Sequence, residues 1–414
     1  MSRSDTGAEE QKDRSAPAST STPRPSHLSA ADRRAPGLRI AMLGTRGVPA
    51  RWGGIERHVE EIGARLVAKG HEVTVYCRAN YQPEAGLHRG MRLVPLRTVG
   101  TKHLDAIVHT AAATARAVRG RYDIVHYHAL GPGLFAPVAR TASTAKVVLT
   151  VHGLDHRRAK WGGVARAVLR TAAWTSTWAP HVVVAVSAEL EARHTGRRAP
   201  VVRVTNGVAA PGPHRPRGEA CARLGLGERP YALFVGRLVP EKAPDQLLAA
   251  FARLAGDDLR LVLAGGSSFS DDYVATLRAA AALDPRVVLA GYVHGAELEE
   301  LYANAAAFVL PSLLEGLPLT LLEAASYATP VVASAIAPHV EIVGRPGPGH
   351  RLVPTGDVAG LAAAIAASLA GGDAERAGAA ELRTHVVAAH DWDAVTERTE
   401  AVYRAVIAGV PLPS

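Results

Sequence analysis

Glu315 and Glu323 stand eight residues apart in Glu315-Gly-Leu-Pro-Leu-Thr-Leu-Leu-Glu323, between two apolar runs, Phe308-Val-Leu-Pro-Ser312 and Pro330-Val-Val-Ala-Ser334. The pattern reads as a buried strand, a loop with one carboxylate, and a helix with a second. Two such groups accept hydrogen bonds from several vicinal hydroxyls, as a sugar and a ribose offer. A solvated pair of glutamates is the plain alternative. The Gly-Leu-Pro after Glu315 and the flanking strands favour the ligand-facing one.

Gly236-Arg-Leu-Val-Pro-Glu-Lys242 supplies the opposite charge. Arg237 and Lys242, five apart on a strand-to-helix loop, can clamp a diphosphate and neutralise charge as a bond to it breaks. The long loop Gly44-Thr-Arg-Gly-Val-Pro-Ala-Arg-Trp-Gly-Gly-Ile-Glu-Arg-His58 puts Gly53 and Gly54 at a helix start. Free backbone N–H groups and the helix dipole favour an anion there. The loop is not G-x-G-x-x-G, and the second strand ends Tyr76-Cys77-Arg78 with no acidic residue, so nicotinamide binding is disfavoured. Gly265-Gly266 forms another loop that a ligand can approach closely. His152 closes a strand and points into the expected cleft. His126 and His128 form an H-x-H pair with no third metal ligand in view, so acceptor lining or packing is the preferred reading. Asp391-Trp-Asp393 precedes a helical pattern, and Asp391 is expected to cap it rather than to bind metal.

These residues hang on a repeating scaffold. Leu38–Gly44, Glu72–Cys77, Asp123–Tyr127, Lys146–Val151 and His181–Val186 are apolar strands, and Ile55, Val59, Ile62 and Leu66 make a helical stripe. After Val204-Thr-Asn-Gly207 and the Pro-rich Pro211–Pro216, the alternation restarts at Tyr231–Val235, Arg260–Ala264, Val287–Ala290, Ala307–Leu310 and Val331–Ser334. The fold class is α/β, with two doubly wound Rossmann-like domains across a cleft. The expected division is 1–36 a disordered tail, 37–205 a first Rossmann-like domain, 206–390 a second, and 391–414 a C-terminal helix.

The 414 residues are too many for one core. Cys77 and Cys221 fall in different domains and imply no disulfide framework. The first 36 residues lack the apolar centre of a signal peptide, and no run approaches the length of a membrane span. A cytoplasmic protein is therefore expected. The charge is lopsided: residues 37–205 carry 25 Lys and Arg against 10 Asp and Glu, whereas residues 206–414 carry 16 against 23. The basic part calls for an anionic partner. No nucleic-acid module is recognisable, so an anionic membrane surface or a phosphorylated lipid acceptor is favoured, with the protein peripheral at the inner face of the membrane.

From about residue 37 to residue 410 the chain resembles retaining, nucleotide-sugar-dependent glycosyltransferases of the two-Rossmann-domain (GT-B) kind, family 4 or "group 1". The resemblance rests on the E-x7-E spacing, on Gly236-Arg237-x4-Lys242, and on the glycine-rich loop with Arg65–Val75, which is similar to a bacterial polysaccharide rhamnosyltransferase-like subgroup. It implies a hexosyltransferase acting on a polysaccharide or lipid-linked acceptor, with retention and with no metal or other cofactor. It places Glu323 on the ribose, Glu315 with Gly316 and Leu317 on the donor sugar, and Arg237 and Lys242 on the diphosphate. It further implies Gly53 and Gly54 closing on the distal phosphate, His152 beside the sugar, Gly265 near the donor, and backbone at Tyr292 and Val293 on the base. In such relatives Ser187 and Asn206-Gly207 line the interdomain hinge; the resemblance likewise makes 37–205 the acceptor-side domain, 206–390 the nucleotide-sugar-binding domain, and 391–414 a helix crossing back onto the N-terminal domain. The alternatives are a nucleotide-sugar epimerase or a phosphorylase on the same fold, or a non-enzymatic sugar-binding protein.

Overall fold

The computed structural model describes residues 36–51, 53–99, 105–153, 163–212, 215–268 and 270–413. The tail expected to be disordered, 1–35, lies outside the described residues.

Continuous apolar runs such as Val147-Val-Leu-Thr-Val151 and Tyr231–Val235 suit parallel strands buried on both faces, because crossover helices cover each side. The N-terminal domain holds β1 (Arg39–Leu43), β2 (Glu72–Arg78), β3 (Gly86–His88), β4 (Met91–Leu96), β5 (Ile124–His128), β6 (Lys146–Val151), β7 (Val182–Ala185) and β8 (Val201–Arg203). They lie in the order β3-β4-β2-β1-β5-β6-β7-β8. The C-terminal domain holds β9 (Tyr231–Val235), β10 (Arg260–Ala264), β11 (Val287–Gly291), β12 (Ala307–Leu310), β13 (Val331–Ser334) and β14 (His350–Val353). Their order is β11-β10-β9-β12-β13-β14.

The β3–β4 hairpin is the one antiparallel pair among the described strands, and the apolar runs did not signal it. Its two-residue turn is Arg89-Gly90, with φ of 48° and 79°. Positive φ at both central residues is what the right-handed twist of a hairpin demands. The edge strands β8 and β14 were also missed; each is short and only partly buried.

Strand order fixes where a ligand can sit. In open parallel sheets the crevice lies beyond the carboxyl ends of the strands, where the order reverses. That point falls between β1 and β5 in the first sheet and between β9 and β12 in the second. The connections after these four strands hold Gly44–Arg51 and Gly53, Ala129, Gly236–Lys242 and Pro311–Pro318.

Two helices complete the frame. The helix Gly54–Ala68 buries His58, Val59, Ile62 and Leu66 against the first sheet. The helix Trp392–Ala408 starts at Asp391, whose carboxylate accepts the Ala394 N–H at 2.9 Å, so the Asp-Trp-Asp motif is a cap. This last helix lies on the N-terminal domain: Asp393 meets Arg65 at 2.6 Å and the buried Tyr403 hydroxyl meets His126 Nδ1 at 2.6 Å. Among the described residues no single helix is long and apolar enough to cross a membrane.

Candidate active site

The β9/β12 switch point brings together residues that are far apart in sequence. Lys242 ends the turn Pro240–Lys242 after β9, and Glu315 stands on the loop after β12. Lys242 Nζ lies 2.6 Å from Glu315 Oε1, with the two side chains 12% and 13% exposed. The Ser312 hydroxyl donates to the same oxygen at 2.8 Å. Burial pushes the Glu315 carboxyl up, but the charge and hydrogen bond of Lys242, helped by His339 and Ser312, hold it below its ordinary value. The sequence assigns these two groups to diphosphate and sugar respectively; the structure pairs them with each other.

Glycines make this packing feasible. A Cβ on Gly236 would lie 2.9 Å from Lys242 Cδ. One on Gly265, at φ +150°, would lie 1.8 Å from the Gly236 carbonyl oxygen, so the loops after β9 and β10 touch through bare backbone. Arg237 sits on the same rim. Burial raises the Tyr292 phenol while the positive charges of Arg46 and Arg237 oppose it. Tyr292 is 41% exposed and donates to the Ser267 carbonyl at 2.9 Å; Val293 beside it is buried.

Glu323 lies in the helix Leu319–Ser326 and receives the Tyr302 hydroxyl on Oε2 at 3.0 Å. Burial raises its carboxyl above the ordinary value; the Tyr302 bond and the charge of Arg57 only partly offset that. A carboxyl with a raised folded-state value favours folding only at low pH, and its ionised form at neutral pH is a cost. Glu323→Gln is therefore expected to melt no lower than the wild type at neutral pH while weakening nucleoside diphosphate binding about tenfold or more, the loss expected where the resemblance sets this carboxylate on a ribose hydroxyl. Calorimetric titration beside thermal melting checks this. A lower melting temperature with unchanged binding would make Glu323 structural.

The N-terminal domain brings its helix start Gly54, with Gly53 before it, up to Leu319 on the helix that carries Glu323. A Cβ on Gly54 would come 3.3 Å from Leu319 Cδ1, so the first residues of the helices Gly54–Ala68 and Leu319–Ser326 face each other across the domain seam. The glycine-rich loop is strapped to its own helix: Glu56 accepts the Arg46 N–H at 3.1 Å and Glu60 accepts the Ala50 N–H at 2.7 Å. Across the seam Arg46 donates to Ser268 at 3.2 Å. Gly316 reaches the other domain directly, since a Cβ there would lie 1.9 Å from the His152 carbonyl oxygen. Leu317 is tied by Asn206 Nδ2, which donates to its carbonyl at 2.7 Å.

His152 stands at the end of β6 among other imidazoles. Its ring lies edge-on to His58 with centroids 4.6 Å apart, and its Nε2 is 3.2 Å from His128 Nδ1. His126 is a packing residue, bonded to Tyr403 at 2.6 Å and to Thr150 at 2.7 Å. The H-x-H pair gains no third ligand, since His126 is spent on packing; a different set, His58, His128 and His152, each bring a nitrogen within 4.8 Å of the others, the grouping among the described residues able to hold a metal ion. Burial, with the neighbouring imidazoles, depresses His128 and His152 well below the usual range, and burial takes His58 to about 4. All three are neutral at physiological pH. His128 Nε2 is buried without a partner. A bare lone pair there costs less than a stranded N–H, which makes His128 the donor and leaves His152 its Nδ1–H as the remaining polar group.

Sequence reading missed Arg46, Ser312, Tyr302, His339 and the role of His58. All but Ser312, which bonds to Glu315 three residues on, act through a contact between distant segments, which no local spacing encodes.

The fold agrees. The sucrose-phosphate synthase of Thermosynechococcus elongatus superposes with a TM-score of 0.76 over 90% of this chain and 100% of that one, at 23% identity. The Anabaena HepE protein in complex with UDP and glucose gives 0.73 over 88% and 98%, at 18% identity. Fold and site together define a GT-B glycosyltransferase. Residues 52–210 match the family model "Glycosyltransferase Family 4" and residues 229–370 match "Glycosyl transferases group 1". The D-inositol 3-phosphate glycosyltransferase of Mycobacterium avium (strain 104) is 30% identical over 388 residues, covering 86% of this chain and 89% of that protein. The GDP-mannose-dependent alpha-(1-6)-phosphatidylinositol monomannoside mannosyltransferase of Mycolicibacterium smegmatis is 30% identical over 381 residues, covering 85% and 94%. The chain belongs to glycosyltransferase family 4, and it is a transferase that draws on a nucleotide-sugar.

Proposed function

We propose that this enzyme moves a hexosyl group from a nucleotide-sugar to a phosphorylated glycan or lipid-linked acceptor, with retention and without a metal ion. The observation that carries the reading is the Lys242–Glu315 pair at the switch point, on a loop whose Gly316 abuts His152 of the other domain. Donor diphosphate displaces Glu315 from Lys242, freeing the carboxylate for sugar hydroxyls while Lys242 and Arg237 hold the phosphates. Glu323 takes the ribose, and backbone at Tyr292 and Val293 borders the base. The bond from the anomeric carbon to the phosphate oxygen breaks, the acceptor oxygen bonds to the same face, and the acceptor proton passes to the departing phosphate. Two cations on the leaving group do what a divalent ion does elsewhere.

The basic N-terminal domain supports an anionic acceptor, and the names of the two relatives above, an inositol phosphate and a phosphatidylinositol mannoside enzyme, point the same way. Such an acceptor fits assembly of cell-envelope glycans, with the enzyme in the cytoplasm and peripheral at the inner face of the membrane.

The test is turnover of UDP-, GDP-, ADP- and dTDP-sugars with chelator present, with and without extracted lipid acceptor. Release of one nucleotide with acceptor-dependent transfer, and a product anomer matching the donor by NMR, is the expected result. Loss of turnover on chelation would overturn metal independence. An isomerised donor without acceptor would replace transfer with epimerisation.

A further inference from the structure

Asn206 belongs to the segment joining the two domains and is buried, 5% exposed. Its side chain bonds to both domains at once. Nδ2 donates to the Leu317 carbonyl at 2.7 Å, on the loop that carries Glu315 and Gly316. Oδ1 lies 2.9 Å from His58 Nδ1, on the N-terminal domain's first helix. The backbone is fixed as well, since the Asn206 carbonyl accepts from His390 Nδ1 at 3.1 Å.

One bond settles the other. With Nδ2 spent on Leu317, only an oxygen faces His58, so His58 Nδ1 must carry the proton and Nε2 is bare. The His58 ring then packs edge-on against His152, whose carbonyl oxygen bears on Gly316. The contacts close a circuit: Asn206 to Leu317, the loop to His152, His152 to His58, and His58 back to Asn206. The other groups facing His58 are His128 on β5 and Trp392 on the last helix, neither of them charged.

We propose that Asn206 is a positioning residue that latches the Glu315–Leu317 loop to His58 and so sets His152 and Glu315 in register across the cleft. The proposal rests on the transferase reading, and it predicts a division of labour. Nucleotide binding, which is held by Glu323 and the phosphate cations, is independent of the latch; turnover depends on it.

Asn206→Leu is expected to lower kcat about 10²-fold, the usual effect of misplacing a reacting geometry by an ångström, with the dissociation constant of free nucleoside diphosphate within about twofold of wild type. His58→Leu should do the same, and the double variant should be no worse than the poorer single one, because both break one circuit. His58→Asn keeps a donor where Nδ1–H stood and should recover most of the loss. Multiplying effects, or equal loss in His58→Asn and His58→Leu, would overturn the latch. An independent readout needs no substrate: amide exchange across residues 315–319 should quicken about tenfold in ligand-free Asn206→Leu. Unchanged exchange there overturns the latch even if transfer is real, and quickened exchange in an enzyme that transfers nothing overturns only the transferase reading.

Discussion

Lys242→Ala is expected to lower turnover by about 10²–10³, the range for removing one preorganised donor from a developing anion. In the ligand-free enzyme Lys242 neutralises Glu315, and in the proposed reaction the donor diphosphate takes over that cation. The substitution also leaves a nearly buried carboxylate unpaired, and breaking such a pair costs about 3–5 kcal/mol when one partner stays behind. The two effects separate by design. Lys242→Ala combined with Glu315→Gln removes the stranded charge, so melting should recover while turnover stays low. The pH dependence has a definite sign. The Glu315 carboxyl is held below its ordinary value, so the pair's contribution to stability is present above the unfolded value and lost as pH falls through the folded one. Without Lys242 the largest remaining influence is burial, which raises the carboxyl. The stability gap between variant and wild type should therefore be wide at neutral pH and narrow in acid. Near-normal turnover in Lys242→Ala would remove it from the mechanism.

Much of the fold was legible because parallel strands buried on both faces leave continuous apolar runs. Lys146–Val151, Tyr231–Val235 and Ala307–Leu310 coincide with β6, β9 and β12 to the residue. The hairpin and the edge strands were not legible, since a half-exposed strand such as His350–Val353 carries no such run. The site divides in the same way. Groups that act from a loop after a strand, such as Lys242 and Glu315, announce themselves through local glycine and charge spacing. Groups that act by meeting something distant do not. His58 reads as one more residue on a helix, and only the folded chain places its ring 4.6 Å from His152. The Lys242–Glu315 bond was hidden for the same reason: both were assigned to ligands, and without a ligand opposite charges at one switch point pair with each other.

Gly316→Ala should be severe for catalysis alone, although it adds a single methyl. That carbon would fall 1.9 Å from the His152 carbonyl oxygen and 2.7 Å from its carbon, and both are backbone atoms of the other domain. No side-chain rotation relieves such an overlap; the domains must part. Transfer needs the acceptor side and the donor sugar in contact, so kcat/KM is expected to fall about 10²-fold or more. The clash lies between the domains rather than inside either core. Melting should then change little, and nucleoside diphosphate should bind within a few-fold of wild type. Small-angle scattering should show a larger radius of gyration. Gly265→Ala supplies the contrast. Its methyl would lie 1.8 Å from the Gly236 carbonyl within the C-terminal domain, at φ +150°, where an L-residue is strained. That variant should melt early and lose nucleotide binding together with turnover. If Gly316→Ala instead turned over normally, the close approach of the Glu315 loop to His152 would not be the reacting arrangement, and the acceptor would have to meet the donor across an open cleft.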